Sequence, residues 1–166
     1  MDEAQENPCL ACGTRQHCCR ELENLRLTPA EYERHFQEYE EQLTVRRRGP
    51  VYKVYMQSGG ACPHWEDGCT VYEERSRECR LFPYTIGAVV IIRKRALVTF
   101  HAYDSRCSLV DKLRMPRAEA RELVTAFAHE AFGEAYRATV IHEPLILHWA
   151  FGMARRLMWR VRQTAS

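Results

Sequence analysis

An α+β fold is predicted for this chain: a small, irregular cysteine-rich metal-binding domain with a helix and a β-hairpin, followed by C-terminal helices. Three observations carry that expectation. Eight cysteines, at positions 9, 12, 18, 19, 62, 69, 79 and 107, all fall in the first two thirds of the sequence. Two runs rich in β-branched residues, "YTIGAVVII" and "ALVTFHAY", flank the charged turn "RKR" in the middle of the chain. Beyond Cys107 there is no cysteine, and apolar residues recur at helical spacing. The division that follows is a cysteine-cluster metal-binding domain over 1–112 and an amphipathic helical extension over 113–166.

The elements can be read in order. The stretch "CLACGTRQHCC" places four cysteines within eleven residues, Cys9 to Cys19. "LRLTPAEYERHFQEYEEQL" follows. Thr28 suits the N-cap of a helix, Pro29 its first turn, and Glu31 completes a capping box. Tyr32, Phe36, Tyr39 and Leu43 then form one apolar stripe, so a helix is expected as far as Leu43. "RRRGP" (Arg46 to Pro50) reads as a solvated turn that ends it. "VYKVYMQ" (Val51 to Gln57) reads as a short strand. A second cysteine cluster spans Cys62 to Cys79, and the β-hairpin then delivers the chain to Cys107.

The last third reads as helical. "PRAEARELVTAFAHEAFGEAY" carries Leu123, Val124, Phe127, Ala128, Ala131 and Ala135 on one face, with His129 beside it. The final segment places Ile146, Trp149, Ala150, Met153, Ala154, Leu157, Met158 and Val161 in an unbroken alternation of three and four. Arg155, Arg156, Arg160 and Arg162 lie mostly off that stripe. Such a helix packs on its own domain, or it docks on a protein partner or an anionic membrane surface.

Composition narrows the function classes. The chain has 166 residues, 46% apolar and 28% charged, as in an ordinary globular protein. A formal net charge of +2 argues against bulk nucleic-acid binding. The N-terminal "MDEAQENP" lacks the features of a secretory signal, and no uncharged apolar run is long enough for a membrane span. The expected compartment is therefore the cytoplasm, where thiols stay reduced. Eight cysteines then point to metal ligation ahead of a disulfide framework.

The spacings bear on that chemistry. Tetrahedral zinc requires its thiolate sulfurs ~3.8 Å apart, which two cysteines separated by two residues satisfy in a tight turn. Cys9 and Cys12 are such a pair, and the same turn suits an iron–sulfur cluster. A dithiol redox pair is expected at a helix N-terminus after a strand, and no strand precedes Cys9. Cys18 and Cys19 are adjacent, so in extended backbone their side chains point to opposite faces. One of them ligates the first centre while the other faces a second centre or stays unligated. The gaps between Cys62, Cys69 and Cys79 match no zinc-finger spacing, so these residues are read together with the distant N-terminal pair. Eight thiolates allow one or two sites. His17 and His64 lie inside the clusters as possible replacement ligands. Arg20, Arg80 and Arg106 adjoin cysteines, and Arg15, Arg75 and Arg77 lie nearby; such cations favour thiolate.

This pattern resembles the YkgJ-like cysteine-cluster family of zinc- or iron-chelating proteins. The family opens on Cys-x-x-Cys-x-x-x-Cys-Cys, continues into a leucine–threonine helix start, and carries a later Cys-Arg-x-Phe-Pro signature. Here the corresponding residues are "CLACGTRQHCCR", "LRLTPAEY" and "ACPHWEDGCTVYEERSRECRLFPY", with Cys107 as a late cysteine. The resemblance covers roughly residues 9–108. The chain departs from the pattern between Cys12 and Cys18, where five residues replace the usual three. The resemblance implies zinc or iron as the bound metal, iron–sulfur in some members, and it supplies no catalytic residue. Phe82 and Pro83 are placed to wall the metal off from water.

Three functions follow as expectations. The first is an iron–sulfur protein, of the 4Fe–4S type on its all-sulfur donor set, acting as an accessory or electron-transfer protein. The second is a structural zinc module that presents the C-terminal helix to a protein partner. The third is a thiol-dependent redox enzyme using Cys19 beside Arg20. No serine–histidine–acid order, phosphate-binding glycine loop or His-Glu-x-x-His motif is present.

Overall fold

A computed structural model describes residues 22, 24–57, 60–102 and 115–142. Strands β1 (Leu25–Leu27), β2 (Leu43–Arg48) and β3 (Val51–Met56) form an antiparallel sheet in the order β1-β3-β2. Helix α1 (Pro29–His35) connects β1 to this hairpin and opens as the sequence predicts. The Glu31 amide donates to the Thr28 hydroxyl at 3.2 Å, and the Thr28 amide donates to the Glu31 carboxylate at 3.0 Å. Two of the helix's orphan amides are thus satisfied at its first turn.

The helix is shorter than the stripe suggests. It ends at His35, and a 3₁₀ segment over Gln37–Gln42 carries Tyr39 at φ −103° and ψ 15°, outside helical geometry. Leu43 instead begins β2 and pairs with Met56. The apolar stripe is still buried: Tyr32, Phe36 and Leu43 join Leu22, Leu25, Leu27 and Val54 in one core, with Tyr39 packed against it. Tyr32 stacks on Tyr52 with ring centroids 4.3 Å apart. Pairing with β3 overrode the local helical pattern.

The arginine run is likewise a strand, with the turn confined to Gly49 and Pro50. Arg46, Arg47 and Arg48 are exposed on β2, an edge strand, where charge is tolerated and opposes further pairing. Arg47 and Arg46 lie over the rings of Tyr52 and Tyr55 at 5.4 and 5.6 Å, across the ladder. Gly49 has φ +59°, and a Cβ there would stand 2.5 Å from the Ile91 side chain. Only glycine satisfies both constraints.

After a single helical turn, α2 (Arg77–Arg80), the chain enters the predicted hairpin of β4 (Tyr84–Ile92) and β5 (Arg95–Ala102), turning at Arg93 and Lys94. The register shifts between Ile86 and Val89. Helix α3 (Arg117–Phe132) follows, burying Val124, Phe127, Ala128 and Ala131 as the periodicity predicts, with Leu123 half-buried. His129 and Ala135 are exposed, off that face.

One element runs against the helical reading of the last third. Strand β6 (Arg137–His142) lies parallel to β5 and completes a second sheet, β4-β5-β6. A parallel pair requires a crossover, and α3 supplies part of it. The main core joins α3 to one face of this sheet through Val89, Ala96, Val98 and Phe100, and it takes in Val51 and Leu81 from outside. No helix among the described residues is long and apolar enough to cross a membrane. The predicted helical stripe from Ile146 to Val161 lies outside the described residues.

Candidate metal centre

The six-residue gap between Cys62 and Cys69 is closed by a compact loop. The Trp65 amide donates to the Cys62 carbonyl at 2.9 Å, and the His64 amide bonds back to the Cys62 sulfur. Trp65 and Cys69 form an antiparallel bridge, and the Thr70 amide reaches the His64 carbonyl at 2.9 Å. Asp67, at φ +53°, makes the reversal, a left-handed position that aspartate adopts more readily than most residues. The loop therefore returns Cys69 toward Cys62.

Cys79 comes from the α2 turn. The Arg80 and Leu81 amides bond to the Ser76 and Arg77 carbonyls at 3.0 and 2.8 Å. The buried Ser76 hydroxyl lies beside the Cys79 sulfur without a hydrogen bond to it. Leu81 anchors the end of the turn in the main core, and Phe82 and Pro83 behind it are half-buried.

A carboxylate network fixes this turn between the two sheets. Glu78 accepts from the Arg26 backbone amide, from the Arg26 guanidinium at 3.0 Å, from the Thr85 hydroxyl at 2.9 Å and from the Ile86 amide at 3.2 Å. It thereby ties β1 to β4. Next to it, Arg77 pairs with Glu31 of α1 at 3.2 Å and with Glu130 of α3 at 2.5 Å. The Arg77 amide also donates to Glu31 at 2.8 Å, and the Thr28 hydroxyl donates to Glu130 at 2.5 Å. A ligand-bearing turn held on both sides in this way can present its sulfur at a fixed position.

The three sulfurs act on one another electrostatically. Burial pushes the Cys62 thiol up to about 11; the His64 amide opposes this, and Cys69 adds to it. Cys79 is exposed at its surface, yet desolvation by the protein around its sulfur pushes the thiol up to about 12. Ser76 opposes that rise, while Cys62, Glu78 and Cys69 add to it. Such coupling sets the three groups within electrostatic range of one another. At neutral pH both thiols are protonated, so a metal that recruits them displaces a proton from each. The His64 amide aimed at the Cys62 sulfur favours the thiolate that ligation needs.

The donor chemistry thus fits a thiophilic metal, with part of the ligand set supplied here. Among the described residues, no three His, Cys, Asp or Glu side chains are grouped so that they could hold a metal ion. Cys9, Cys12, Cys18, Cys19 and Cys107, with His17, lie outside the described residues.

His64 is oriented through its Nε2, which leaves the ligand role raised from the sequence to Nδ1. Its Nε2 lies 2.5 Å from the His35 carbonyl, which can only accept, so Nε2 carries the proton. The rings of His35, Phe36 and Tyr39 surround it edge-on at 5.4–6.0 Å. The arginines near Cys79 are engaged elsewhere. Arg77 serves the two glutamates, and Arg75 lies 3.7 Å over the Tyr72 ring. Neither is among the groups that set the Cys79 pKa, where desolvation dominates. Sequence reasoning missed Glu78 and its partners; its only signal was one acid among the arginines of "RSRECR".

Fold and sulfur chemistry together define a cysteine-cluster α+β protein built to chelate a thiophilic metal. Residues 8–112 match the family model CxxCxxCC, described as "Putative zinc- or iron-chelating domain", and the chain belongs to that family. Neither the curated proteins nor the solved structures give a match.

Proposed function

We propose that the chain holds an iron–sulfur cluster, of the 4Fe–4S type, on cysteine thiolates and serves as an accessory or electron-transfer protein in the cytoplasm. One observation carries this reading. Cys62, Cys69 and Cys79 come from two separate loops into mutual electrostatic range, with the His64 amide donating to the Cys62 sulfur. Bonds of that kind to ligand sulfurs tune the potential of an iron–sulfur centre. The all-sulfur donor set of this reading is completed from Cys9, Cys12, Cys18, Cys19 and Cys107.

The test is metal and sulfide analysis with a visible spectrum on protein purified without oxygen. Iron, acid-labile sulfide and a broad visible absorption are expected, all lost in Cys62→Ser and Cys79→Ser. A colourless protein holding zinc overturns the assignment in favour of a structural zinc module. That second reading is favoured by the Glu78 and Arg77 network, which places the Cys79 turn where a metal would brace both sheets. A thiol enzyme requires a thiol of lowered pKa; Cys62 and Cys79 are shifted the other way, and Cys19, the thiol the sequence offers for that role, lies outside the described residues.

A further inference from the structure

The fold brings two basic stretches of the sequence, "RRRG" (Arg46 to Gly49) and "RKR" (Arg93 to Arg95), to one end of the molecule. Gly49, in the β2–β3 turn, lies so close to Ile91 that a Cβ there would stand 2.5 Å from its side chain. Arg48 directly precedes that glycine, and Ile91 leads into the β4–β5 turn of Arg93 and Lys94. Arg47 is held at the first turn by its Nε, which donates to the Gly49 carbonyl at 3.0 Å. Strand β6 adds Arg137, whose amide donates to the Lys94 carbonyl at 2.8 Å. Arg47, Arg48, Arg93, Lys94, Arg95 and Arg137 are all exposed. Among the described residues the ion pairs fall elsewhere, on Arg26 and Arg77. The whole chain carries a formal charge of only +2, so positive charge is concentrated at this end.

Three local departures coincide there. Arg93 has φ +54°, at a hairpin-turn position that favours glycine or asparagine. Arg95 and Arg137 are register partners on neighbouring strands, where like charges repel. Ile92, paired with Arg95 beside the same turn, is 66% exposed, more than any other large apolar residue described. None of the three serves the fold, and such departures gather where a protein acts.

We propose that this end docks on an anionic phospholipid surface, the cations meeting headgroup phosphates while Ile92 enters the boundary with the acyl chains. Ile92 decides the class of partner. Arginine and lysine alone attract any polyanion, and arginine's forked donors suit phosphate from any source. Single-stranded nucleic acid is held in addition by open aromatic faces on which bases stack. Here Tyr52 is stacked on Tyr32 and covered by Arg47, while Arg46 and Lys53 lie over Tyr55. An exposed apolar residue among cations is instead the pattern of interfacial anchoring. The proposal is independent of which metal the cysteines hold.

Co-sedimentation of the full metal-loaded chain with vesicles tests it. Binding is expected to phosphatidylcholine vesicles enriched in phosphatidylglycerol and not to phosphatidylcholine alone. It should weaken between about 0.1 M and about 1 M salt, as the screening length falls from about 10 to about 3 Å. Arg93→Glu/Lys94→Glu should lower the affinity at least tenfold. Arg117→Glu/Arg121→Glu makes the same charge change on exposed residues near His142, at the far end of β6 from Arg137, and should leave the affinity within about twofold. Ile92→Ser keeps every charge and should cost about tenfold. An unchanged thermal midpoint shows that each variant keeps the fold. Absence of binding to the anionic vesicles overturns the proposal, as does equal loss in the Arg117→Glu/Arg121→Glu variant. Wild-type binding by Ile92→Ser leaves a purely electrostatic surface and overturns it too. Retention of an oligonucleotide by a chain that ignores the vesicles assigns this end to nucleic acid and overturns membrane docking.

Discussion

Among the described residues, thirteen buried apolar residues, from Val51 to Phe132, join α3 to the β4–β5–β6 sheet, whereas seven close the layer of α1 and β1–β3. The larger core includes Phe100, Phe127 and Phe132, and burial of that kind stabilises a fold without further help. The smaller one is of a size that small domains usually supplement with a metal or cross-link. Cys62 packs at its edge, so this candidate ligand lies beside the smaller of the two described cores. The difference suggests a division of labour, in which the sulfurs brace one half and side-chain packing carries the other.

The contrast can be strained from each side. Phe127→Ala removes a fully buried ring from the larger core and should cost about 3–5 kcal/mol. Denaturant titration should show that loss equally with and without metal. Glu78→Ala strikes the junction instead. It leaves the Arg26 guanidinium, the Thr85 hydroxyl and two backbone amides without their shared acceptor. A loss of about 3 kcal/mol is expected. Because the Cys79 turn loosens as well, metal affinity measured by competition with a chelator should fall in the same variant.

Smaller effects test the contacts between the halves. Gly49→Ala forces a Cβ against Ile91 at a positive φ and should cost about 1–2 kcal/mol, read as a lowered denaturation midpoint. Glu130→Gln addresses the link from α3 to Thr28 and Arg77. Partial burial pushes the Glu130 carboxyl up, but the Thr28 hydroxyl and Arg77 outweigh it and hold it below the ordinary range. Its stabilising contribution is therefore present above the unfolded carboxyl value and lost as pH falls through the folded one. The variant should be less stable by up to about 1 kcal/mol at neutral pH, a small figure because the pair is partly exposed. That deficit should vanish in acid.

Legibility followed locality. The Thr28–Glu31 capping box and the hairpin turning at Arg93 and Lys94 depend on neighbours in sequence, and both were readable. Strand β2 was hidden because three arginines on a solvated edge look like a turn until β3 is placed beside them. Strand β6 was hidden for a similar reason, since its residues are mostly exposed and its partner is β5 across an intervening helix. At the site, the cysteines announced themselves by type. What holds Cys79 did not, because Arg26 and Glu78 are 52 residues apart and Glu31 and Arg77 are 46 apart.

The division of labour is tested most directly by native-state hydrogen exchange on the metal-loaded chain before and after chelation. Removal of metal should strip at least tenfold protection from the amides of β1, β3 and α1, while α3 and β5 keep theirs. Equal loss across both sheets, or no loss in either, would contradict the claim that the sulfurs brace one half of the fold.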